Sequence, residues 1–277
     1  MKNLIKFEFR KLFKSCTFYI CGSLAAFFVT INILSTYILA VSIGEMPTGS
    51  ICLSFIQTAI NNSNFTLLSA IFVSIFVCAD QAGKTIKTIY AKGYSRTEVY
   101  FSKYIVSLIA TIIYVLVAYI FSALFSFSLF GVKDITLPSD TFGLSFVAQL
   151  IMIITYHALY FFVSNSLGNT GGSIAICILG PAFVNIILSI FDLAIDSSKV
   201  SFLFSSYWLT SLLNVSQNSF MTFRRGIEVI IAGIIYSTLF IGGGYLINKT
   251  KEAKKQIACS KCYRQFLFVN FCVFILA

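Results

Sequence analysis

Long apolar runs, separated by short segments that hold nearly all the charges, dominate this sequence. Each of six runs approaches or exceeds the roughly 20 residues that a helix needs to cross the hydrocarbon core of a bilayer. Only 11% of the residues are charged and 58% are hydrophobic, so a water-soluble fold would leave a large apolar area in water. The sequence therefore predicts an all-α, polytopic membrane protein. The six predicted transmembrane helices cover about residues 16–43, 64–79, 104–130, 142–163, 173–191 and 229–247.

The charges of the polar segments predict an orientation in the membrane. The net charge is +10, and most of the 20 Lys and Arg residues lie in residues 1–15, 80–103 and 248–277; the exceptions are Lys133, Lys199, Arg224 and Arg225. With six spans, these three segments lie on one side of the membrane. Since basic residues concentrate on the cytoplasmic side, we expect an N-in, C-in orientation. This block pattern favours membrane orientation over nucleic-acid binding as the reason for the positive charge.

The ends of the chain differ from the membrane domain that we predict over residues 16–250. Residues 1–15 read as an amphipathic interfacial helix, in which Ile5, Phe9 and Leu12 share one face and Phe13 lies beside it. Another face carries a basic stripe at a spacing of four, made of Lys6, Arg10 and Lys14. The alternative is a plain positive flank of the first span. Residues 251–277 are predicted to form a basic and apolar cytoplasmic tail. The apolar residues 51–60 fit either an interfacial helix or a distorted start of the second span.

The segment 80–103 carries the clearest local signals. Its pattern predicts a helix after the second span that stops at Gly93. A second helix is predicted to begin at Ser95, because Glu98 stands three residues later at the spacing of a capping box. A short cytoplasmic helix between two spans is a suitable docking surface for a soluble partner.

In this segment the chain resembles the permease subunit of an ABC-2 type transporter, of the small six-span class found in low-GC Gram-positive bacteria. The residues that carry the resemblance are Asp80, Lys84-Thr85-Ile86-Lys87, Gly93, Ser95-Arg96 and Ser102-Lys103. It extends over about residues 1–250. Some members of that class protect their producer against antimicrobial peptides.

The resemblance implies which segments contact a partner. Residues 85–91 would be the coupling helix that touches a separate ATP-binding cassette subunit, and residues 164–172 would be a second cytoplasmic contact. The residues expected to couple to the ATPase are Asp80, Lys84, Thr85, Ile86, Lys87, Gly93, Ser95, Arg96 and Lys103. Residues 201–226, with Trp208, Arg224 and Arg225, would form an extracellular re-entrant segment. Polar residues interrupt its apolar stretches, so it fits burial in protein better than a span in lipid.

The function implied by the resemblance is ATP-driven movement of a hydrophobic or peptide-like substrate, with export as the expected direction. The permease would sit in the bacterial plasma membrane, form a homo- or heterodimer, and need no cofactor of its own. Two alternatives remain open from the residues. One is a non-transporting membrane scaffold or peptide-binding immunity protein, and the other is a membrane-embedded enzyme acting on lipid. Acidic clusters that could form a catalytic site are missing from the sequence, which disfavours the enzyme.

Several other motifs favour structural interpretations. Gly83-Lys84-Thr85 resembles the end of a phosphate-binding loop, but Cys78 occupies the position of the required first glycine. His157 lies in the fourth predicted span, where a hydrogen bond to a neighbouring helix is favoured over a proton relay. Cys259-Ser260-Lys261-Cys262 lacks the second ligand pair of a structural zinc site, so no metal is expected.

Two further motifs concern helix geometry. Pro181 should kink the fifth span. Gly242-Gly243-Gly244 permits close helix approach, either within the chain or in a dimer.

Overall fold

The computed structural model describes residues 2–43, 50–82, 89–131, 142–194, 203–218 and 221–275, with the side chains of residues 50, 81–82 and 250–275 outside the description. Within these ranges every regular element is helical. The elements are α1 (Lys2–Lys14), α2 (Cys16–Ile43), α3 (Ser50–Gln57), α4 (Ala59–Asn62), α5 (Phe65–Ala82), α6 (Arg96–Phe130), α7 (Phe142–Leu167), α8 (Thr170–Ala194), a 3₁₀ helix (Phe204–Tyr207), α9 (Leu209–Ser216) and α10 (Phe223–Ile275). The predicted all-α class is confirmed.

Five described helices are long and apolar enough to cross a membrane. They are α2, α6, α7, α8 and the Phe223–Lys249 part of α10. The second predicted span corresponds to α5, whose apolar part, Phe65–Asp80, is shorter than these five. The chain is thus a multi-pass membrane protein, while the sixth crossing and the orientation stay predictions.

Helix α7 forms the centre of the bundle. It packs against α5, α6, α8, α9 and α10. Of the residues in its most apolar stretch, 56% are buried, compared with 11% in the corresponding stretch of α8. Small residues on its surface, such as Ser145, Ala148 and Ser164, are fully buried and allow close approach of its neighbours. This position makes α7 the element against which the other helices are held.

The structure of residues 50–62 decides between the interfacial helix and the distorted start of the second span that the sequence left open. They form two short helices, α3 and α4, separated from α5 by a break at which Asn64 has a φ of 50°. Both pack against α6, and Cys52 and Ala59 are fully buried. The segment is therefore packed into the protein as separate helices. Burial in protein is the condition under which an interrupted backbone is tolerated at membrane depth.

Glycines on α10 meet large side chains of α6 and α7. A Cβ at Gly244 would overlap the hydroxyl of Tyr100, and one at Gly243 would press on the ring of Phe162. The Tyr100 hydroxyl donates a hydrogen bond to the Ile241 carbonyl oxygen at 3.1 Å. Gly242 faces open space. Of the two possibilities for this triplet, packing within the chain is thus observed for Gly243 and Gly244.

Candidate coupling site

The segment that the sequence assigned to coupling ends in a sharply defined turn. Residues 89–91 are helical, and the Gly93 amide donates to the Tyr90 carbonyl oxygen at 3.0 Å. Gly93 has a φ of 86°, in the left-handed region that glycine adopts at helix ends. The predicted helix stop is therefore confirmed. Lys84, Thr85, Ile86 and Lys87 lie outside the described residues, so their role in coupling stays a prediction.

The start of α6 follows from local chemistry. The hydroxyl of Ser95 accepts a hydrogen bond from the Glu98 amide at 3.2 Å, and the Ser95 amide donates to Oε2 of Glu98 at 3.1 Å. Both halves of the predicted capping box are therefore present. The capping box fixes the residue at which α6 begins, and therefore the point at which the turn is joined to α6.

Arg96 joins this turn to two elements. Its guanidinium lies over the ring of Tyr90, 5.2 Å from the centroid. Its carbonyl oxygen accepts a hydrogen bond from the side-chain amide of Asn248 on α10 at 3.3 Å. The side chain thus contacts the turn, while the backbone of the same residue contacts α10.

A buried ion-pair cluster lies beside the turn. Nζ of Lys11 on α1 and Nζ of Lys103 on α6 each lie 2.5 Å from a different oxygen of Asp80, at the end of α5. The side chains of Asp80 and Lys103 are each only 6% exposed, and that of Lys11 is 26% exposed. Three elements that are distant in sequence are therefore joined by one carboxylate. Removal of one partner from such a pair leaves a charge buried without compensation.

Glu8 completes the cluster and was not identified from the sequence. The residue is fully buried, and neither carboxylate oxygen has a hydrogen-bond partner in the described part of the chain. Burial raises the pKa of Glu8, the charges of Lys103 and Lys11 oppose this, and Asp80 adds to the increase; the net pKa lies above its usual value. The sequence did contain a signal for this burial, since Glu8 stands four residues after Leu4 and four before Leu12. That spacing places an acid on the buried face of α1.

The inner face of α1 also touches the coupling turn through apolar contacts. Leu4 packs with Ile89 and Val99 in a small buried cluster, with Tyr90 and Tyr94 at its edge. The buried face of α1 is therefore Leu4, Glu8 and Leu12. Of the face expected from the sequence, Leu12 is buried, Ile5 and Phe9 are partly buried, and Phe13 is 51% exposed. The true face is rotated because it must meet α6 and the turn together.

The second predicted contact, residues 164–172, lies next to the end of α5. The chain turns between α7 and α8 at Gly168, which has a φ of 69° and donates from its amide to the Ser164 carbonyl oxygen at 3.0 Å. Sγ of Cys78 lies 3.6 Å from the same carbonyl oxygen. Because Cys78 precedes Asp80 by two residues, the structure brings both predicted contact segments to the same end of the bundle.

The predicted re-entrant segment packs against α8 and α10. The indole of Trp208 donates to the carbonyl oxygen of Pro181 at 2.7 Å, and Leu209 and Leu212 of α9 are fully buried. Arg225 pairs with Glu228 at 2.6 Å, while the side chain of Arg224 is 91% exposed. Residues 201–202 and 219–220 lie outside the described part, and the extracellular placement of the segment stays a prediction.

Buried amide side chains hold α3 and α9 against α7, and the sequence did not indicate them. Nε2 of Gln57 donates to Oγ of Ser145 at 3.0 Å, and Nε2 of Gln149 donates to the Ser216 carbonyl oxygen at 3.1 Å. The Gln149 side-chain oxygen in turn accepts from the hydroxyl of Tyr119 at 2.5 Å. These partners lie far apart along the chain, so no spacing rule could have paired them.

His157 has the environment of a structural histidine. It is fully buried on α7, and its two ring nitrogens lie 3.2 Å from Oγ of Ser107 and 3.4 Å from Oγ1 of Thr111, both on α6. A neutral imidazole has one donor and one acceptor, and a hydroxyl complements either. The hydrogen bond to a neighbouring helix that the sequence favoured is thus confirmed. Cys259 and Cys262 lie where side chains are not described.

Comparison with known proteins identifies the family. The sequence profile of the family described as ABC-2 family transporter protein matches residues 4–185, which run from α1 into α8 and include the ion-pair cluster and the turn. Curated proteins and solved structures gave no match to the chain. Permeases of this family work in a membrane with ATP-binding subunits. Since the profile covers well over half of the sequence, the chain belongs to the ABC-2 family of transporter proteins.

Proposed function

We propose that the chain is the permease subunit of an ABC transporter that exports a hydrophobic or peptide-like substrate, using ATP hydrolysed by a separate subunit. The family and the membrane-type helices support the permease role. The substrate class, the outward direction, the bacterial plasma membrane and the N-in, C-in orientation come from the resemblance and from the distribution of basic residues. The permease would act as a homo- or heterodimer.

The observation that carries this proposal is the junction of α1, the turn and the inner ends of α5 and α6. Asp80 joins Lys11 to Lys103, and Leu4 packs on Ile89 and Val99. The segment 83–95 connects α5 directly to α6. A displacement of this segment by an ATPase subunit would therefore be transmitted to both helices together. The buried ion pairs resist separation of the three elements, because each separated charge would need a new partner.

The two predicted contact segments support the same mechanism. The end of α5 and the turn at Gly168 lie side by side, as the contact of Cys78 with the Ser164 carbonyl oxygen demonstrates. A single partner of modest size could contact both. Closure of paired ATPase subunits on ATP would then tilt α5, α6 and α7 as a group, and this tilt would open the path outward.

Co-purification from native membranes tests the proposal. A tagged full-length chain, extracted in a mild detergent, is expected to retain an ATP-binding subunit that hydrolyses ATP. The variants Lys87→Gln and Arg96→Gln should reduce the amount retained. The matched control is Arg224→Gln, which removes the same charge from the region that we place outside the cell.

Retention of the ATPase by all three variants would contradict the coupling role of residues 80–103. Absence of any ATPase, under conditions that keep related transporters intact, would favour the non-transporting scaffold or immunity protein instead.

A further inference from the structure

A groove with basic walls runs along the outer side of α1, beside the face that packs on the bundle. Its lining residues are Phe7, Arg10, Lys11, Lys14 and Ser15. Arg10 and Lys14 are exposed, and the ring of Phe7 is 50% exposed. The groove therefore combines cationic groups with an aromatic surface on a helix that joins α2 through Ser15 alone.

One of the three cations in the groove is paired with a carboxylate of the protein, and the other two are not paired among the described residues. Lys11 turns towards the protein, where Asp80 holds its ammonium group. Among the described residues, no carboxylate lies within ion-pairing distance of Arg10 or Lys14. The only acid of α1, Glu8, is fully buried on the opposite side. The outer face of the helix thus carries positive charge without an internal counter-charge.

The spacing of these cations places them around a common point. Arg10 and Lys14 stand four residues apart, so their Cβ atoms lie about 5–6 Å from each other on adjacent turns. Like charges at this spacing destabilise a helix, unless an anion lies between them. The Arg guanidinium and the Lys ammonium are the cationic side chains that proteins commonly use to hold phosphate oxygens. The local electrostatics therefore favours a bound phosphate group.

The apolar side of the groove restricts which phosphate fits. Phe7 lines the groove, and Phe13 lies outside it on the same helix. Each exposes about half of its surface near the cations. A soluble anion would gain nothing from these rings. A phospholipid would gain from them, because its phosphate lies only a few ångströms from its apolar glycerol backbone and acyl chains, and can therefore meet the cations and the rings together.

We propose that this groove binds the headgroup phosphate of an anionic phospholipid, held between the guanidinium of Arg10 and the ammonium of Lys14, with Phe7 against the glycerol and the upper acyl chains. The proposal rests on the placement of α1 at the membrane surface, but not on transport of any substrate. It assigns opposite roles to the two faces of α1: the inner face contacts the coupling turn, and the outer face binds a lipid.

Titration of the purified full-length chain in a non-ionic detergent tests this site apart from any membrane surface potential. The probe is phosphatidylglycerol, with phosphatidylcholine as the neutral comparison, and bound lipid is counted by native mass spectrometry. We expect saturable binding of phosphatidylglycerol at one lipid per chain. Arg10→Gln and Lys14→Gln should each weaken it about 10- to 100-fold, because each removes a charge-assisted hydrogen bond to the phosphate.

The matched control is Lys2→Gln, which removes the same charge from an exposed position of the same helix about 12 Å from Arg10. It should leave the affinity unchanged within about twofold. All three altered residues are exposed, so the variants are expected to fold, and retention of the elution volume and helicity checks this.

Three outcomes would overturn the proposal. Equal weakening by Lys2→Gln would reduce the effect to general attraction of anions by a basic helix. Competition by glycerol 3-phosphate as strong as that by the lipid would assign the groove to a soluble phosphate. Equal binding of phosphatidylcholine would remove the role of the anionic headgroup. None of these results would bear on the ATPase partner, so failure here is distinguishable from failure of the proposed transport function.

Discussion

At the scale of single residues, Asp80 is the side chain that joins three helices at the candidate coupling site. It accepts two ammonium groups from two other helices, and its side chain is only 6% exposed. A second acid with two basic partners, Glu228, lies at the start of α10, where its side chain is 28% exposed. The two sites have similar partners and differ in burial. They therefore allow the effect of burial to be measured directly.

Replacement of Asp80 by Asn should destabilise the protein by about 3–5 kcal/mol, because Lys103 would stay buried without its carboxylate. Thermal unfolding in detergent can be followed with a thiol-reactive dye, since Cys21, Cys52, Cys78 and Cys177 are buried in the folded chain. The matched variant Glu228→Gln should change the midpoint little, because solvent screens its pairs. Equal shifts in the two variants would show that burial of the Asp80 cluster contributes nothing.

Glu8 gives the stability a pH dependence with a defined sign. Its pKa in the folded chain is raised above the ordinary value of 4.5, mainly by burial. As the pH rises above that value, the carboxyl ionises more readily in the unfolded chain than in the folded one, so the wild type loses stability. The variant Glu8→Gln does not ionise. Its unfolding midpoint should therefore rise relative to wild type as the pH increases from about 4 towards neutrality. A difference that stays constant with pH, or that shrinks, would contradict this.

At the scale of elements, the helix contacts of α10 depend on glycines that are neighbours in sequence and different in environment. Gly244 meets the buried Tyr100, whereas Gly242 faces open space. Alanine favours a helix over glycine by roughly 0.5–1 kcal/mol, so the substitution is intrinsically stabilising at either position. Any difference between the two variants reports the contact alone.

Gly244→Ala should therefore lower the stability by about 1–3 kcal/mol, because the new methyl group overpacks against Tyr100. Gly242→Ala should leave the unfolding midpoint unchanged or slightly raised. The same detergent unfolding assay measures both. If Gly242→Ala is the more harmful of the two, the triplet serves a contact outside the chain instead.

Elements with local determinants were predictable, and those with distant partners were not. The stop at Gly93 and the capping box of Ser95 and Glu98 depend on residues within a few positions of each other, and both were found as expected. The ends of α2 at Cys16 and Ile43 also agree with the apolar pattern. By contrast, Asp80 pairs with Lys11, 69 positions before it, and with Lys103, 23 positions after it, and no local pattern encodes this meeting of three helices. Residues 51–60 were ambiguous because their apolar pattern fits both an interfacial helix and a distorted start of the second span, and only packing against α6 decides between them.

At the scale of the whole molecule, α5 decides the topology. Five described helices are long enough to span, and α5 has a shorter apolar part that ends at Asp80. Its last residues are anchored by Lys11 and Lys103 rather than by additional apolar length. A short span is compatible with a crossing when flanking basic residues extend to the interface or when the bilayer thins locally.

Reporter fusions along the chain separate six spans from five. With six spans, a periplasmic-type reporter should be active when it follows Glu45, Asp134 or Lys199, and inactive when it follows Gly93, Gly168 or Lys251. If α5 does not cross, the pattern inverts from Gly93 onward, while the fusion at Glu45 keeps its activity. A reporter at Glu45 alone thus serves as the internal control for the orientation of α2.

The order of synthesis determines when α1 can make its contacts. Lys11 leaves the ribosome 69 residues before Asp80, the carboxylate that it binds, and Lys103 follows later still. At 5–20 residues per second, α1 waits for roughly 3 to 14 s before Asp80 is made. During that interval Leu4 lacks its partners Ile89 and Val99, and of the three charged groups that act on Glu8 only Lys11 has been made. The first helix to be translated therefore completes its contacts only after α5 and the start of α6 have been made, and α7, α8, α9 and α10 follow later still.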